Sequence, residues 1–237
     1  MPVNAITLDA AGTLIFPRES VDSTYARIAE QHGGYLDSTK VYPAFSLALD
    51  TMPPMACPRQ DQHRLHEWEF EWWRTLVRSV VEECGEVAAF DAFFDTLYRY
   101  YALPNEWALF KEVIPTVDAM RARGLRIAVL SNFDSRLEPI LSFLGVTERV
   151  DSVVYSTEAG AAKPDPKIFQ TVCQRLEVAA DEVLHIGDNR TADYVGACAA
   201  GLHALWLSRN ADTHLNVPYE HTINSLDAAL VWLEDRK

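Results

Sequence analysis

The run Glu182-Val183-Leu184-His185-Ile186-Gly187-Asp188-Asn189 sets the grammar of the chain: a short apolar strand that ends in a polar turn. A helix follows from about Thr191 to Ala200, stopped by Gly201, and a second strand runs from His203 to Leu207. Working back toward the N-terminus, the alternation repeats. Lys163-Pro164-Asp165-Pro166 opens a helix to about Leu176, and Ser152 to Tyr155 reads as a strand. A helix covers about Ser135 to Leu144, after a strand from Arg126 to Leu130 that ends in Ser131-Asn132. Pro115 opens a helix through Arg123, and Gly124 closes it. The first strand, Ala5-Ile6-Thr7-Leu8, ends at Asp9 and the turn Ala11-Gly12-Thr13. The last helix starts near Ser225, with Asp227 in its first turn.

Short apolar strands alternating with helices predict an α/β fold with a parallel sheet covered on both faces. Right-handed crossovers make it doubly wound. In such sheets the site lies beyond the carboxyl ends of the strands, where Asp9, Ser131 and Asp188 fall. The stretch from about Pro17 to about Lys111 has a different character. Strand-like runs vanish there, and aromatic residues such as Tyr25, Trp68, Trp72, Phe90, Phe93, Phe94 and Tyr101 recur at helical spacing. Pro53-Pro54 breaks this region, which reads as roughly four helices. Trp68 and Trp72 share a helix face and belong to that region's core, whereas Trp73 points toward an interface.

The chain has 237 residues, 49% of them hydrophobic, enough for one large domain or a core with an insert. A net charge of −13 disfavours nucleic acid and anionic membranes as partners. No apolar run reaches membrane-spanning length, and the start MPVNAITLDAAGTL lacks a signal-peptide pattern, so a cytoplasmic location is expected. Cys57, Cys84, Cys173 and Cys198 match no zinc spacing and read as free, buried thiols.

Singly, each polar strand end has a plain explanation. Asp9 fits an Asx turn, Ser131 a helix cap, Lys163 a solvated loop, Asp188 a turn and Asp193 the first turn of a helix. Their chemistry also fits one purpose. An aspartate can act as a nucleophile, a serine and backbone N–H groups can hold phosphate oxygens, and a lysine can offset oxyanion charge. Asp9, Asp188 and Asp193 supply the hard oxygen ligands that Mg²⁺ prefers. Their joint occurrence, each at a strand end or in the loop after it, is not explained one residue at a time.

The segments LDAAGTL around Asp9, VLSNFD around Ser131, AKPDP around Lys163 and HIGDNRTAD with Asp188 and Asp193 resemble the four motifs of the haloacid dehalogenase-like hydrolase superfamily. The resemblance implies a Rossmann-like core over residues 1–16 and 111–237, with an α-helical cap of residues 17–110 inserted between the first and second motifs. It implies hinges at Phe16-Pro17 and Lys111-Glu112. It further implies that Asp9 attacks phosphorus to form an aspartyl-phosphate, with Mg²⁺ bound by Asp9, Asp188 and the Ala11 carbonyl. Asp193 would support the metal or Lys163. Ala10, Ser131, Asn132 and Lys163 would hold the transferring phosphoryl group of a small phosphorylated or phosphonate metabolite. The chain would act as a monomer or homodimer.

One departure matters. Phosphatases of the superfamily place a second Asp two residues after the nucleophile, to protonate the leaving oxygen and then activate water. Here that position is Ala11. General acid–base catalysis contributes about 10²–10⁴-fold. Several alternatives stand open: a substrate with a good leaving group; another acid/base from the cap, such as His63, His66 or Glu67; a phosphonatase-like hydrolase of C–P bonds, which also carries Ala here and uses a cap lysine, for which Lys40 and Lys111 are the choices; or a weakened site that binds a phospho-ligand without turning it over. Dehalogenases of the superfamily carry Tyr at this position and dispense with the metal, which the retained Asp188 and Asp193 argue against.

Overall fold

The computed structural model describes residues 2–209 and 221–234. The chain enters through strand β1 (Ala5–Leu8) and β2 (Ile15–Pro17). It then forms α1 (Val21–Gln31), β3 (Gly34–Leu36), α2 (Ser38–Thr51), α3 (Leu65–Cys84), β4 (Gly85–Val87) and α4 (Phe90–Tyr100). After β5 (Trp107–Leu109) come α5 (Val113–Ala122), β6 (Arg126–Ser131), α6 (Leu137–Phe143), β7 (Ser152–Tyr155), α7 (Ser156–Ala159) and α8 (Pro166–Leu176). β8 (Val183–Gly187), α9 (Gly196–Ala199), β9 (His203–Leu207), β10 (Thr222–Ile223) and α10 (Ala228–Glu234) complete the described chain.

Six strands form one parallel sheet in the order β10-β9-β8-β1-β6-β7. Alternation along the strands feeds two apolar layers. Ile6, Leu8, Ile127, Val129, Leu184 and Ile186 face α5, α6 and α10. Ala5, Ala128, Leu130 and Val183 face α8 and α9. Both faces are covered, as the alternating sequence predicts. β1 lies at the centre, and the chain runs from it first to β6 and β7, then across to β8, β9 and β10. That reversal is the topological switch point at which α/β sheets open a crevice. Leu8 pairs with both Val129 and Ile186, so the chain ends at Asp9, Ser131 and Asp188 emerge side by side.

Helices α1–α4 build a separate apolar cluster around Tyr25, Ile28, Trp72, Leu76, Val80, Phe93, Phe94 and Leu97. Ser20 caps α1 and Asp37 caps α2, each accepting a backbone N–H, and α2 ends at Thr51 just before Pro53-Pro54. Trp72 is buried and Trp73 reaches the sheet side, its indole N–H donating to Asp134 Oδ2 at 2.5 Å.

The structure corrects several sequence expectations. Strands do occur in the helical stretch: β3 pairs antiparallel with β4, and β2 with β5 across the two chain crossings at Phe16-Pro17 and Trp107–Leu109. Three-residue strands are too short to show a period of two. The helix expected from Thr191 is a π-helical turn, Arg190–Val195, followed by the short α9. α6 starts at Leu137 rather than Ser135, and α10 at Ala228 rather than Ser225. Cys198 is exposed, not buried, because the short α9 buries Gly196 and Ala197 instead; Cys57, Cys84 and Cys173 are buried, and all four are free. Among the described residues no helix is long and apolar enough to cross a membrane.

Candidate active site

Asp9 stands immediately after β1, almost fully buried. Its Oδ1 accepts from the Ser131 hydroxyl at 2.9 Å and from the Lys163 ammonium at 2.7 Å. Lys163 reaches in from the loop before α8 and donates also to the Leu130 carbonyl at 2.8 Å and to Asp193 Oδ1 at 2.6 Å. Three protons on an ammonium thus meet three acceptors, which fixes the side chain as well as its charge.

Asn132 secures that lysine. Its side-chain amide accepts from the Lys163 N–H at 2.7 Å and donates to the Lys163 carbonyl at 2.8 Å. Asp193 folds back under β8. Its Oδ2 accepts from the Asn189 N–H at 2.8 Å, and Oδ1 also meets His185 Nε2 at 3.1 Å. A Cβ on Gly187 would collide with the Asp193 carboxylate, so glycine is what permits this approach. Gly12, at φ +86°, plays the same part on the other side, where a Cβ would collide with the Asp188 carboxylate.

The electrostatics follow from burial. Desolvation pushes the Asp9 carboxyl above its ordinary range, against the pull of Lys163. Burial and the nearby Asp9 and Asp193 charges push Asp188 up to about 7. Burial also opposes ionisation of Asp193, but Lys163 and His185 outweigh it and hold that carboxyl far below the usual range. Burial works against the Lys163 ammonium too, yet Asp193 and Asp9 raise its pKa above the ordinary value. Burial depresses His185, which stays neutral; with Asp193 ionised, Nε2 donates to it and Nδ1 accepts from Thr7 Oγ1 at 2.8 Å.

Asp9, Asp188 and Asp193 each present an oxygen within 4.8 Å of the others. Three carboxyl groups face one ammonium, so the cluster carries a formal excess of negative charge when all are ionised. A hard divalent cation suits such a donor set.

Every motif residue singled out in the sequence lies at this crevice. Ala10 is buried, and its carbonyl accepts from the N–H groups of Thr13, Leu14 and Ile15, which closes the turn after the strand. Ala11 is exposed to the crevice and lines a cavity of about 230 Å³ between the sheet and the helical cluster. The acid/base candidates fare differently. His63, His66 and Glu67 are exposed; His66 bonds to Ser135 Oγ and, with Glu67, lines a different groove. His66 lies 3.5 Å from Glu69, one turn further along α3, which is buried where His66 is exposed. Lys40 and Lys111 are exposed and lie outside the cavity lining.

Four supporting residues were missed in the sequence. Thr13 donates to Asp188 Oδ1 at 3.2 Å. Thr7 and His185 pair in register across β1 and β8, a signal that two polar residues inside apolar strands did offer. Arg209 donates to the carbonyls of Gly12 and Thr13 and to Glu112, and lies over the Phe110 ring. Nothing local in the sequence marks it.

Comparison with known proteins settles the family. The model of haloacid dehalogenase-like hydrolases matches residues 3–201. The chain belongs to this family of hydrolases. It is 35% identical to haloacid dehalogenase-like hydrolase domain-containing protein 3 of Danio rerio, over 96% of this chain and 95% of that protein. It is 32% identical to phosphoserine phosphatase of Thermus thermophilus over 61% of this chain and 58% of that one. Its fold is similar to that of the HAD-hydrolase YfnB of Bacillus subtilis, a structure bound to magnesium, with a TM-score of 0.73, 18% identity and coverage of 98% and 99% of the two chains.

Proposed function

We propose that this hydrolase transfers the phosphoryl group of a small phosphorylated metabolite to Asp9 and then to water. The observation that carries the reading is the buried Asp9–Lys163–Asp193 chain, with Ser131 on the same Asp9 oxygen. A buried salt bridge is poor stabilisation in itself, since desolvation offsets much of its attraction. A fold that nonetheless buries two carboxylates around one fully bonded lysine, at a switch point, has the form of a preorganised charge site.

In this reading Asp9 attacks phosphorus, and the P–O bond to the leaving group breaks. Lys163 offsets charge on Asp9 and on the phosphoryl oxygens. The Ser131 hydroxyl and the N–H groups of Ala10 and Asn132 hold those oxygens in line, so that catalysis is mainly positioning and charge stabilisation. Asp9, Asp188 and the Ala11 carbonyl would hold Mg²⁺, because Asp193 is already committed to Lys163, His185 and Asn189. The ion, when bound, neutralises phosphoryl charge. Residues 17–110 act as the cap that excludes water, and residues 1–16 and 111–237 as the core. With Ala11 in place of a carboxylic acid, the leaving group departs without a proton from that position.

The phosphonatase alternative requires a lysine in the cavity, and both cap-region choices lie outside its lining. A binding protein without turnover is favoured by Ala11 alone. The test is Mg²⁺-dependent hydrolysis of p-nitrophenyl phosphate by the unmodified protein and by Asp9→Asn. Turnover lost in Asp9→Asn supports the nucleophile. Tight binding of phosphate without any Asp9-dependent turnover supports the binding protein.

A further inference from the structure

The cavity beside Ala11 constrains the leaving group. Its floor is Ala11 and Asn132, the residues that flank the Asp9 and Ser131 ends of the strands, and its walls come from both sides of the molecule, including Phe45, Val77, Phe94, Leu97, Trp107 and Phe133. The potentially charged lining group is Arg136, and it is spent. It donates to both oxygens of Asp134 and to the Tyr98 carbonyl, and it stacks on Tyr98 and Trp73. The Asn132 amide is held by Lys163 through its oxygen and one of its N–H groups. The hydrogen-bonding capacity left in the lining is phenolic: the buried Tyr101 hydroxyl makes no hydrogen bond within the protein, and Tyr25 and Tyr98 also line the cavity. A polyol or a zwitterionic amino acid would strand its polar groups against these walls, and each unpaired one costs about 1–3 kcal/mol. A flat apolar group would not. An apolar cavity of roughly 150 Å³ takes up benzene, so the volume of about 230 Å³ here accommodates one to two aromatic rings.

Ala11 points the same way by independent chemistry. An alkoxide leaving group resembles hydroxide, whose conjugate acid, water, has a pKa of about 15.7, and it needs a proton as it departs. A phenolate, with a pKa of about 10, departs far more readily. The loss of a general acid, worth about 10²–10⁴-fold, is therefore tolerable for an aryl ester and not for an alkyl one.

We propose that the substrates are phosphate monoesters of compact phenols, with the ring seated in the cavity beside Ala11 and the phosphoryl group over Asp9. The inference rests on the phosphoryl-transfer reading above. In the first step an Asp9 oxygen bonds to phosphorus, the P–O(aryl) bond breaks, and the aryl oxide leaves with the electron pair and takes a proton from solvent. In the second, water attacks phosphorus, the P–O(Asp9) bond breaks to regenerate the carboxylate, and the proton of the water goes to a phosphate oxygen.

The experiment compares kcat/KM for phenyl, 1-naphthyl and p-nitrophenyl phosphates with that for glycerol 3-phosphate and phosphoserine, all with Mg²⁺. It uses the unmodified protein, Asp9→Asn, and Val21→Trp, which fills the cavity from a partly exposed lining position. The expected result is a preference of at least about 100-fold for the aryl esters, given the acid term above, and a rise in KM of tenfold or more for 1-naphthyl phosphate in Val21→Trp. Asp9-dependent hydrolysis in which glycerol 3-phosphate or phosphoserine matches the aryl esters overturns the aromatic assignment and leaves the Asp9 chemistry standing. No Asp9-dependent hydrolysis of any ester overturns both. If Val21→Trp does not fold, titration of the unmodified protein with 1-naphthol decides. Quenching of tryptophan emission, to which the lining Trp73 and Trp107 contribute, together with competitive inhibition, supports the cavity as the ring site, and absence of inhibition at saturating solubility overturns it.

Discussion

Glu69 links the helical cluster to the sheet, and its removal has a calculable effect. It lies on α3 with its side chain fully buried, and its Oε1 accepts from the Ser135 N–H at 3.0 Å and from Thr157 Oγ1 at 2.5 Å. Its Oε2 accepts from Ser135 Oγ. In Glu69→Ala the two hydroxyls can rotate toward other acceptors, but the Ser135 N–H cannot. An unsatisfied buried donor costs about 1–3 kcal/mol and each lost hydroxyl bond about 1 kcal/mol, for a total of about 3–5 kcal/mol. A protein of this size loses about 2–4 °C of Tm per kcal/mol, so the expected drop is roughly 6–20 °C. Glu69→Gln keeps the shape and one acceptor oxygen and should fall between the two. Urea unfolding followed by tryptophan fluorescence measures it, because Trp73 bonds to Asp134 at the same junction. A loss below about 1 kcal/mol in Glu69→Ala, at unchanged m-value, would show that the junction is held by apolar packing and not by this carboxyl group.

Four further outcomes are expected. Mg²⁺ at a hundred times its Kd should stabilise the protein by about 2.7 kcal/mol. Because Asp188 is raised to about 7, the metal-free fold takes up a proton below that pH; Mg²⁺ must then displace it, so Kd measured by calorimetry should be flat above pH 7 and weaken toward tenfold per unit below it. A pH-independent Kd between 5 and 7 would place the metal elsewhere. Ala11→Asp should raise turnover of alkyl phosphates by about 10²–10⁴-fold while changing p-nitrophenyl phosphate much less; equal gains on both would mean that leaving-group protonation is not what Ala11 removes. Gly12→Ala forces a side chain against Asp188 at a positive φ and should weaken Mg²⁺ binding at least tenfold, in keeping with disturbed support of a ligand; unaltered affinity would remove Asp188 from the ligand set.

The parts of the molecule legible in the sequence are those with a local cause. Strand runs such as Val183–Ile186 bury both faces, so they read as apolar blocks, and the helices between them carry their own stops at Gly124 and Gly201. Asp9, Ser131 and Asp188 were legible because each sits where a strand ends, and Lys163 and Asp193 because of the motif residues around them. Other elements had no local cause. Three-residue strands such as β3 and β4 exist only because they pair with each other. The π-helical turn after Asn189 follows from the need to bring Asp193 back beneath Gly187, a constraint that helical periodicity does not encode.

By itself, the sequence determined the doubly wound α/β order, the family's four motifs and the absence of a carboxylate at Ala11, since these depend on residue type and spacing along the chain. Only the tertiary structure decided that one lysine is shared by Asp9 and Asp193, that His63, His66 and Glu67 are exposed and outside the lining of the cavity beside Ala11, that Glu69 and Arg136 are consumed at the junction, and that the walls of that cavity are mostly apolar. Those facts concern which distant residues meet and what remains unpaired after they do. Burial converts such meetings into pKa shifts and specificity, and burial is a property of the folded surface rather than of the order of residues.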